Sequence, residues 1–523
     1  MSGSIANSPL PIGQATGSSL ADRLAGLTDG RWFVTVVSLL FALPMFCAPV
    51  LPLVDIGGHI GRYAIQLDGG LTPELAQWYT FTWSLLPNLG ADLIVQMLAP
   101  GVGVEAAARV AVALAVVLQV SGILVLSKKL HERITPWALL TLPLVYSFPF
   151  QFGFLNFVLG FSVALWAMVA WLHFETALPL RRGVVFALIA SLVWLCHLVG
   201  WGVFCILAGS RELVRRWQSS DGIFAVLRDT TLAVSCLLVP LAIGAIFSPE
   251  GGDPGKTDGW FEYGWKLLHL LNVMLDRWEL FDRLALTIVL MGLFWGLIVK
   301  EARTDPGTGL AAALLAACAI SMPSQVLGSH YADIRLFPIV LVVGLLAIAP
   351  AQQMSRDLAT ALLVFAMAFV GVRLAGTAAS AQMNGAALER ELTVLDRLPK
   401  HSQLVTLRAR NCHDGLDLSI DRTTHLGGYA IARRAAFSND QWQLAGAQLL
   451  RVHNPTIAPF DRDPSQFTFT RPCGDDKGIE VKAAQIPKAA SHLWVIWDDE
   501  PKPLQGWSRI ATGKTSVLYK RND

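Results

Sequence analysis

Charge is the first scarcity. Only 15% of the 523 residues are Asp, Glu, Lys or Arg, and 53% are apolar. Soluble domains carry about 25% charged residues, so an ordinary water-soluble enzyme is excluded. The chain also has no P-loop, no GxGxxG turn, no HExxH and no GxSxG elbow. Nucleotide hydrolysis and a cytosolic sugar-nucleotide site therefore have no support. Net charge is only +2, and no basic patch is interleaved with aromatics; nucleic acid is not the partner. The seven cysteines show no CxxC or zinc-ligand spacing, and no internal repeat is visible.

What the chain does have is long apolar runs. They fall near 31–50, 104–127, 134–150, 155–174, 183–199, 200–210, 225–247, 283–300, 308–326, 333–350 and 358–375. Many approach the roughly 20 residues that cross hydrocarbon. The expected fold is mainly α: a polytopic transmembrane helical bundle of about ten or eleven spans over 31–378. A disordered N-terminus (1–30) precedes it and a small C-terminal α+β extramembrane domain (379–523) follows. Strand-like runs in that tail are Gln403–Leu407, Tyr429–Arg433, Gln466–Phe469, His492–Trp497 and Ser516–Tyr519.

Lys/Arg-rich connections occur at 128–133, 181–182, 211–216 and 300–303, and Arg356 follows a later span. Placing them inside puts the N-terminus in the cytoplasm. The loops 51–103 and 248–282, the turn near 330 and the tail then lie outside. This solution needs 183–210 to be a short re-entrant pair breaking at Gly200-Trp201-Gly202; a single span there would turn the tail inside. With the tail outside the cytoplasm, Cys412 and Cys473 are able to pair.

Polar residues at the membrane edge carry the chemistry. Asp55-Ile-Gly-Gly-His59-Ile-Gly-Arg62 follows the first apolar segment. Charge at that depth is costly and points to function. Asp55 suits a base that deprotonates an acceptor hydroxyl, or a carboxylate that holds a divalent cation; its bland reading is a helix cap or a partner for Arg62. On a helix, His59 and Arg62 share its face, with Arg62 as a phosphate clamp and His59 as a second base, against a purely structural polar network. Gly57, Gly58 and Gly61 leave room for a ligand. Asp92 is a second acid facing Asp55, or a helix N-terminal acid. His197 lies at the outer end of a span, as a site residue or a packed histidine. His330, Asp333 and Arg335 form a second cluster, where Arg335 meets a lipid phosphate or pairs with Asp333 or a loop acid. Glu262, in the aromatic-rich stretch 260–278, is a weaker candidate. Asp414, Asp421 and Asp440 show no catalytic spacing.

This layout resembles the GT-C superfamily of integral-membrane glycosyltransferases. Asp55 matches the acid that such enzymes carry in the first outer loop, the bundle and tail match their plan, and Asp333-Ile334-Arg335 looks like their late outer-loop element. The paired acids of many members are lacking: position 57 is Gly, so Asp55 stands alone unless Asp68, Glu74 or Asp92 completes the pair. The resemblance implies transfer of a sugar from a polyprenyl-phosphate donor to a glycan, lipid or protein acceptor at the outer face of a bacterial inner membrane. No cofactor beyond a divalent cation is implied. Two other readings are a transporter or export factor for lipid-linked glycans, which predicts inverted repeats, and an envelope-biogenesis scaffold, in which Asp55 and Arg335 are replaceable.

Overall fold

The computed structural model describes residues 26–219, 222–247, 255–412, 420–444 and 446–522. Most of the N-terminal segment, part of the loop 248–282 and Asp414 lie outside them. The protein is a polytopic helical bundle with a small C-terminal α+β domain. Among the described residues, six helices are long and apolar enough to cross a membrane: Val104–His131, Leu155–His173, Pro179–Cys196, Ile223–Phe247, Glu279–Ile298 and Arg356–Arg397. Shorter apolar helices are Arg31–Cys47, Gly90–Val102, Pro306–Ser321 and Leu336–Leu346.

Local chemistry sets several starts. Pro306 opens its helix behind Asp305, whose side chain accepts from the Thr308 amide. Ser355 caps Arg356–Leu392 by accepting from Leu358. A fixed proline φ and a capping oxygen both suit a first turn, where backbone N–H groups lack intrahelical partners. The outward faces stay apolar: Leu188, Ile246 and Ile298 are exposed, as acyl chains require and water would penalise.

The structure corrects four expectations. Residues 134–150 are not one span. Pro136, Pro143 and Pro149 divide the stretch into Pro136–Leu140, a 3₁₀ turn Leu142–Tyr146 and Phe148–Phe152, since each proline removes a donor and clashes with the preceding turn. The hairpin within 183–210 is real but its break is His197, not Gly200–Gly202, and its arms are the full helices Pro179–Cys196 and Leu198–Trp217. Tyr429–Arg433 lies in a helix, Gly428–Arg434, rather than a strand. The boundary near 379 falls inside a helix: Arg356–Leu392 runs unbroken from the bundle into the tail.

Polar contacts sort the connections onto two faces. On one, Arg182 meets Glu212 at 2.6 Å and Arg211 meets Glu175 and Asp305 at 3.5 Å each. Short strands Ala302–Thr304 and Ile348–Pro350 pair there. Both basic ends of the hairpin thus return to one side, as charge placement required. On the opposite face, strand Tyr79–Phe81 of the first loop pairs antiparallel with Leu450–Val452 of the tail. Arg422 of the tail donates to the Pro52 carbonyl at 2.7 Å and contacts Asp276 at 2.5 Å.

The tail is a mixed sheet. Strand Gln403–Arg410 runs parallel to Phe437–Ser438, Phe467–Phe469 and His492–Trp497. His492–Trp497 then pairs antiparallel with Ser516–Arg521, and that with Trp507–Thr512. Cys412 and Cys473 are joined by a disulfide, Cα atoms 5.8 Å apart. The run LVTLRA at 404–409 is buried throughout, the signature of a strand covered on both faces.

Candidate functional site

The chain leaves helix Arg31–Cys47 and runs extended to Asp55. There it is held by backbone bonds from Val54 to the Gln151 carbonyl (3.1 Å) and from Asp55 to the Phe152 carbonyl (2.9 Å). Gly153 makes this approach feasible: it has φ +86°, and a Cβ would sit 3.3 Å from the Asp55 nitrogen. Asp55 stands before the first turn of Ile56–Asp68, yet its side chain makes no capping bond. It is not paired with Arg62 either. Both bland readings of Asp55 therefore fail on geometry.

The three glycines after Asp55 clear space for protein, not ligand. A Cβ on Gly57 would lie 2.2 Å from the His425 carbonyl oxygen, one on Gly58 2.2 Å from the Trp442 ring, and one on Gly428 2.1 Å from the Gly57 oxygen. Helix Ile56–Asp68 thus packs backbone to backbone on the segment containing His425 and on helix Gly428–Arg434. Glycine permits such contact at a conformational cost that must be offset elsewhere. The result brings His425 Nε2 to 3.7 Å from Asp55 Oδ1.

Asp55 opens onto a cavity of about 1130 Å³ between the bundle and the tail. Phe148, Phe152, Phe154, His269, His330, Tyr331 and Arg335 line it from the bundle; Arg408, Arg410, Asp421, Arg422, His425, Trp442 and Asp463 line it from the tail. Most of its charges are neutralised. Arg408 pairs with Asp421 at 2.8 Å and with Asp498, Arg410 with Asp421 at 3.3 Å, and Arg422 with Asp276. Arg335 is different. Its Nη2 donates to the His330 carbonyl at 2.7 Å and its guanidinium lies 3.7 Å over the Phe154 ring. Its Nε is buried without a partner, and among the described residues it makes no ion pair. Burial pushes the Asp55 carboxyl up to about 6, while His425 and Arg335 pull it down and Asp463 adds to the rise. Asp55 thus faces the cavity with only the His425 ring within ion-pair reach, and Arg335 faces it with no carboxylate partner among the described residues.

Of the other candidates, His330 lines the cavity and accepts from Arg335 through its backbone carbonyl, and the rest lie off it. Arg62 and Asp92 form a buried ion pair. Asp92 Oδ2 also accepts from Asn156 Nδ2 at 3.0 Å, so Asp92 does not face Asp55. His59 does stack beside Arg62 on the helix, but that face points into protein. Its Nε2 bonds the Gly153 carbonyl at 3.1 Å and its Nδ1 meets Arg62 Nη2 at 3.2 Å. Only a neutral Nε2–H tautomer fits both contacts. Burial and Arg62 accordingly hold this ring down at about 3, which leaves it no spare nitrogen for acting as a base. His197 Nδ1 accepts from the Val199 amide at 3.1 Å, capping its helix. Asp333 is buried against Lys266 at 2.6 Å, and is not the partner of Arg335. Glu262 is exposed and outside the cavity lining.

The sequence reading missed the tail's share: Arg408, Arg410, Asp421, Arg422, His425, Trp442 and Asp463. Their only signal was the density of charge and aromatics in a tail with no spacing rule. Among the described residues no group of three or more His, Cys, Asp or Glu is placed to hold a metal ion; Asp55 has a histidine beside it and cationic Arg335 nearby, a poor donor set for a divalent cation.

No family model matches this chain, and no curated protein does. Among solved structures, it is similar to the crystal structure of ArnT from Cupriavidus metallidurans bound to undecaprenyl phosphate, at 14% identity over 93% of this chain and 97% of that one, with a TM-score of 0.48.

Proposed function

We propose that the protein is a membrane glycosyltransferase that moves a sugar from a lipid-phosphate-linked donor to a glycan, lipid or protein acceptor. It works at the outer face of a bacterial inner membrane, with the N-terminus cytoplasmic and the tail periplasmic. The observation that carries the reading is one cavity, where bundle meets tail, that holds both the Asp55 carboxyl and an Arg335 guanidinium with no carboxylate partner among the described residues. Asp55 takes the proton of the acceptor hydroxyl as that oxygen attacks the anomeric carbon. The bond from the anomeric carbon to the phosphate oxygen breaks, and the lipid phosphate leaves with the electron pair. Arg335 neutralises the charge that develops on it. A carboxyl poised near 6 is largely ionised at neutral pH and still basic enough to accept a proton. No metal has a part in this scheme.

Supporting features are the Phe154 ring under Arg335 and the rings of Phe148 and Phe152 on the same cavity, an apolar lining with a cation that fits an amphiphile with a phosphate head. The cavity's charges sit where bundle meets tail rather than at paired broken helices, which speaks against that mode of transport. The test is binding of a C55 polyprenyl phosphate to the purified protein in nanodiscs, read by native mass spectrometry. Wild type retains the lipid, and Arg335→Gln loses affinity by about tenfold or more, as expected for one charge-assisted contact. Equal retention by both would remove Arg335 from the site.

A further inference from the structure

We propose that His425, brought to the cavity by the C-terminal domain, is the positioning partner of Asp55: it orients the carboxylate toward the cavity and favours its ionised form. The site is then shared between bundle and tail, and neither half is complete alone. The role in transfer rests on the function proposed above; the pairing itself does not.

The pairing stands on geometry. His425 Nε2 lies 3.7 Å from Asp55 Oδ1, within ion-pair reach and slightly beyond a hydrogen bond. The ring is 8% exposed, and its Nδ1 is buried without a partner. His59, by contrast, satisfies both of its nitrogens within the protein. Trp442 packs on His425 with ring centroids 4.9 Å apart, limiting where the imidazole swings. The glycine contact between positions 57 and 428 sets the spacing, because any side chain at either would drive His425 away from Asp55.

Other charges surround the pair. Arg335 acts on Asp55 from the segment before Leu336–Leu346, Asp463 from the tail. Asp440, also in the tail, feels His425, and its Oδ1 is buried and unpartnered. His59 feels His425 from the neighbouring helix.

The test uses the purified full chain and no sugar substrate. A hydrophobic carbodiimide modifies protonated carboxyls, so labelling of Asp55 against pH, read by peptide mass spectrometry, reports its titration. Wild type should label with a midpoint near 6. His425→Gln should move that midpoint upward by about one pH unit, because a cationic neighbour is removed while Arg335 stays. An unmoved midpoint overturns the proposal. Should His425→Gln not fold, His425→Asn removes the same ring with a smaller amide, and the Asp55 labelling midpoint must rise there as well. No shift there is equally fatal. A moved midpoint in a protein whose biological activity survives Asp55→Asn keeps the pairing and removes the transferase. Activity that needs Asp55 but an unmoved midpoint does the converse.

Discussion

Replacing Gly57 by alanine probes the contact on which the whole site depends. The new Cβ would lie 2.2 Å from the His425 carbonyl oxygen and 2.9 Å from its carbon. An ordinary carbon–oxygen contact is about 3.3 Å or more, so helix and tail must part by about 1 Å. That carries His425 beyond ion-pair reach of Asp55, now 3.7 Å away. Overpacking of this kind costs about 1–3 kcal/mol. Alanine is also the better helix former, which offsets up to about 1 kcal/mol. Gly371→Ala isolates that gain, since Gly371 sits in helix Arg356–Leu392 with nothing within 4 Å of the added Cβ. The assay is thermal unfolding in detergent followed by tryptophan fluorescence, to which Trp442 at the junction contributes. Gly57→Ala should melt below wild type, and Gly371→Ala at or above it. If Gly57→Ala melts with Gly371→Ala, the tail is not seated on the helix as described.

Two further predictions separate structure from chemistry. Asp92→Asn leaves the Arg62 guanidinium buried without its counter-charge, a loss of about 3–5 kcal/mol, so folded yield should fall; the double replacement Arg62→Met with Asp92→Leu should restore both yield and activity, whereas a folded but inactive double variant would mean the pair works in the reaction. Asp440 is pushed up to about 7 from an ordinary 3.8, burial being the main cause. Its folded form therefore holds the proton that the unfolded chain gives up. The stability this contributes is full below pH 4 and lost as pH rises to 7, with an amplitude of a few kcal/mol at about 1.4 per unit. Asp440→Asn should flatten the fall in melting temperature across that window; parallel slopes for the two proteins would contradict this assignment.

Much of the membrane architecture was legible because its signals are local. Apolar run length marks spans, and basic loops mark one face. Asp55 and Arg335 were legible for the same reason: an ionised side chain beside an apolar helix stands out in one dimension. The segment 134–150 was misread because its hydropathy is continuous while its prolines are not helix-compatible. The glycines at 57, 58 and 61 showed that something comes close, but not what. The answer, the backbone at His425 and Gly428 and the ring of Trp442, lies more than 360 residues downstream. Arg422 likewise reaches the Pro52 carbonyl across 370 residues. Periodicity does not encode such pairings, so the tail's contribution to the cavity was invisible. His59 and Arg62 were placed side by side by helix geometry, but sequence does not tell which way that face points, and Asp92, expected to face Asp55, meets Arg62 instead.

The most direct measurement compares envelope glycolipids and polysaccharides in a strain lacking this protein, complemented with wild type, Asp55→Asn or Arg335→Gln at matched membrane levels. The account predicts that one glycan is lost in both variants and that its unextended acceptor accumulates. Full restoration by both variants would contradict it, and would leave a folded protein whose cavity serves no transfer.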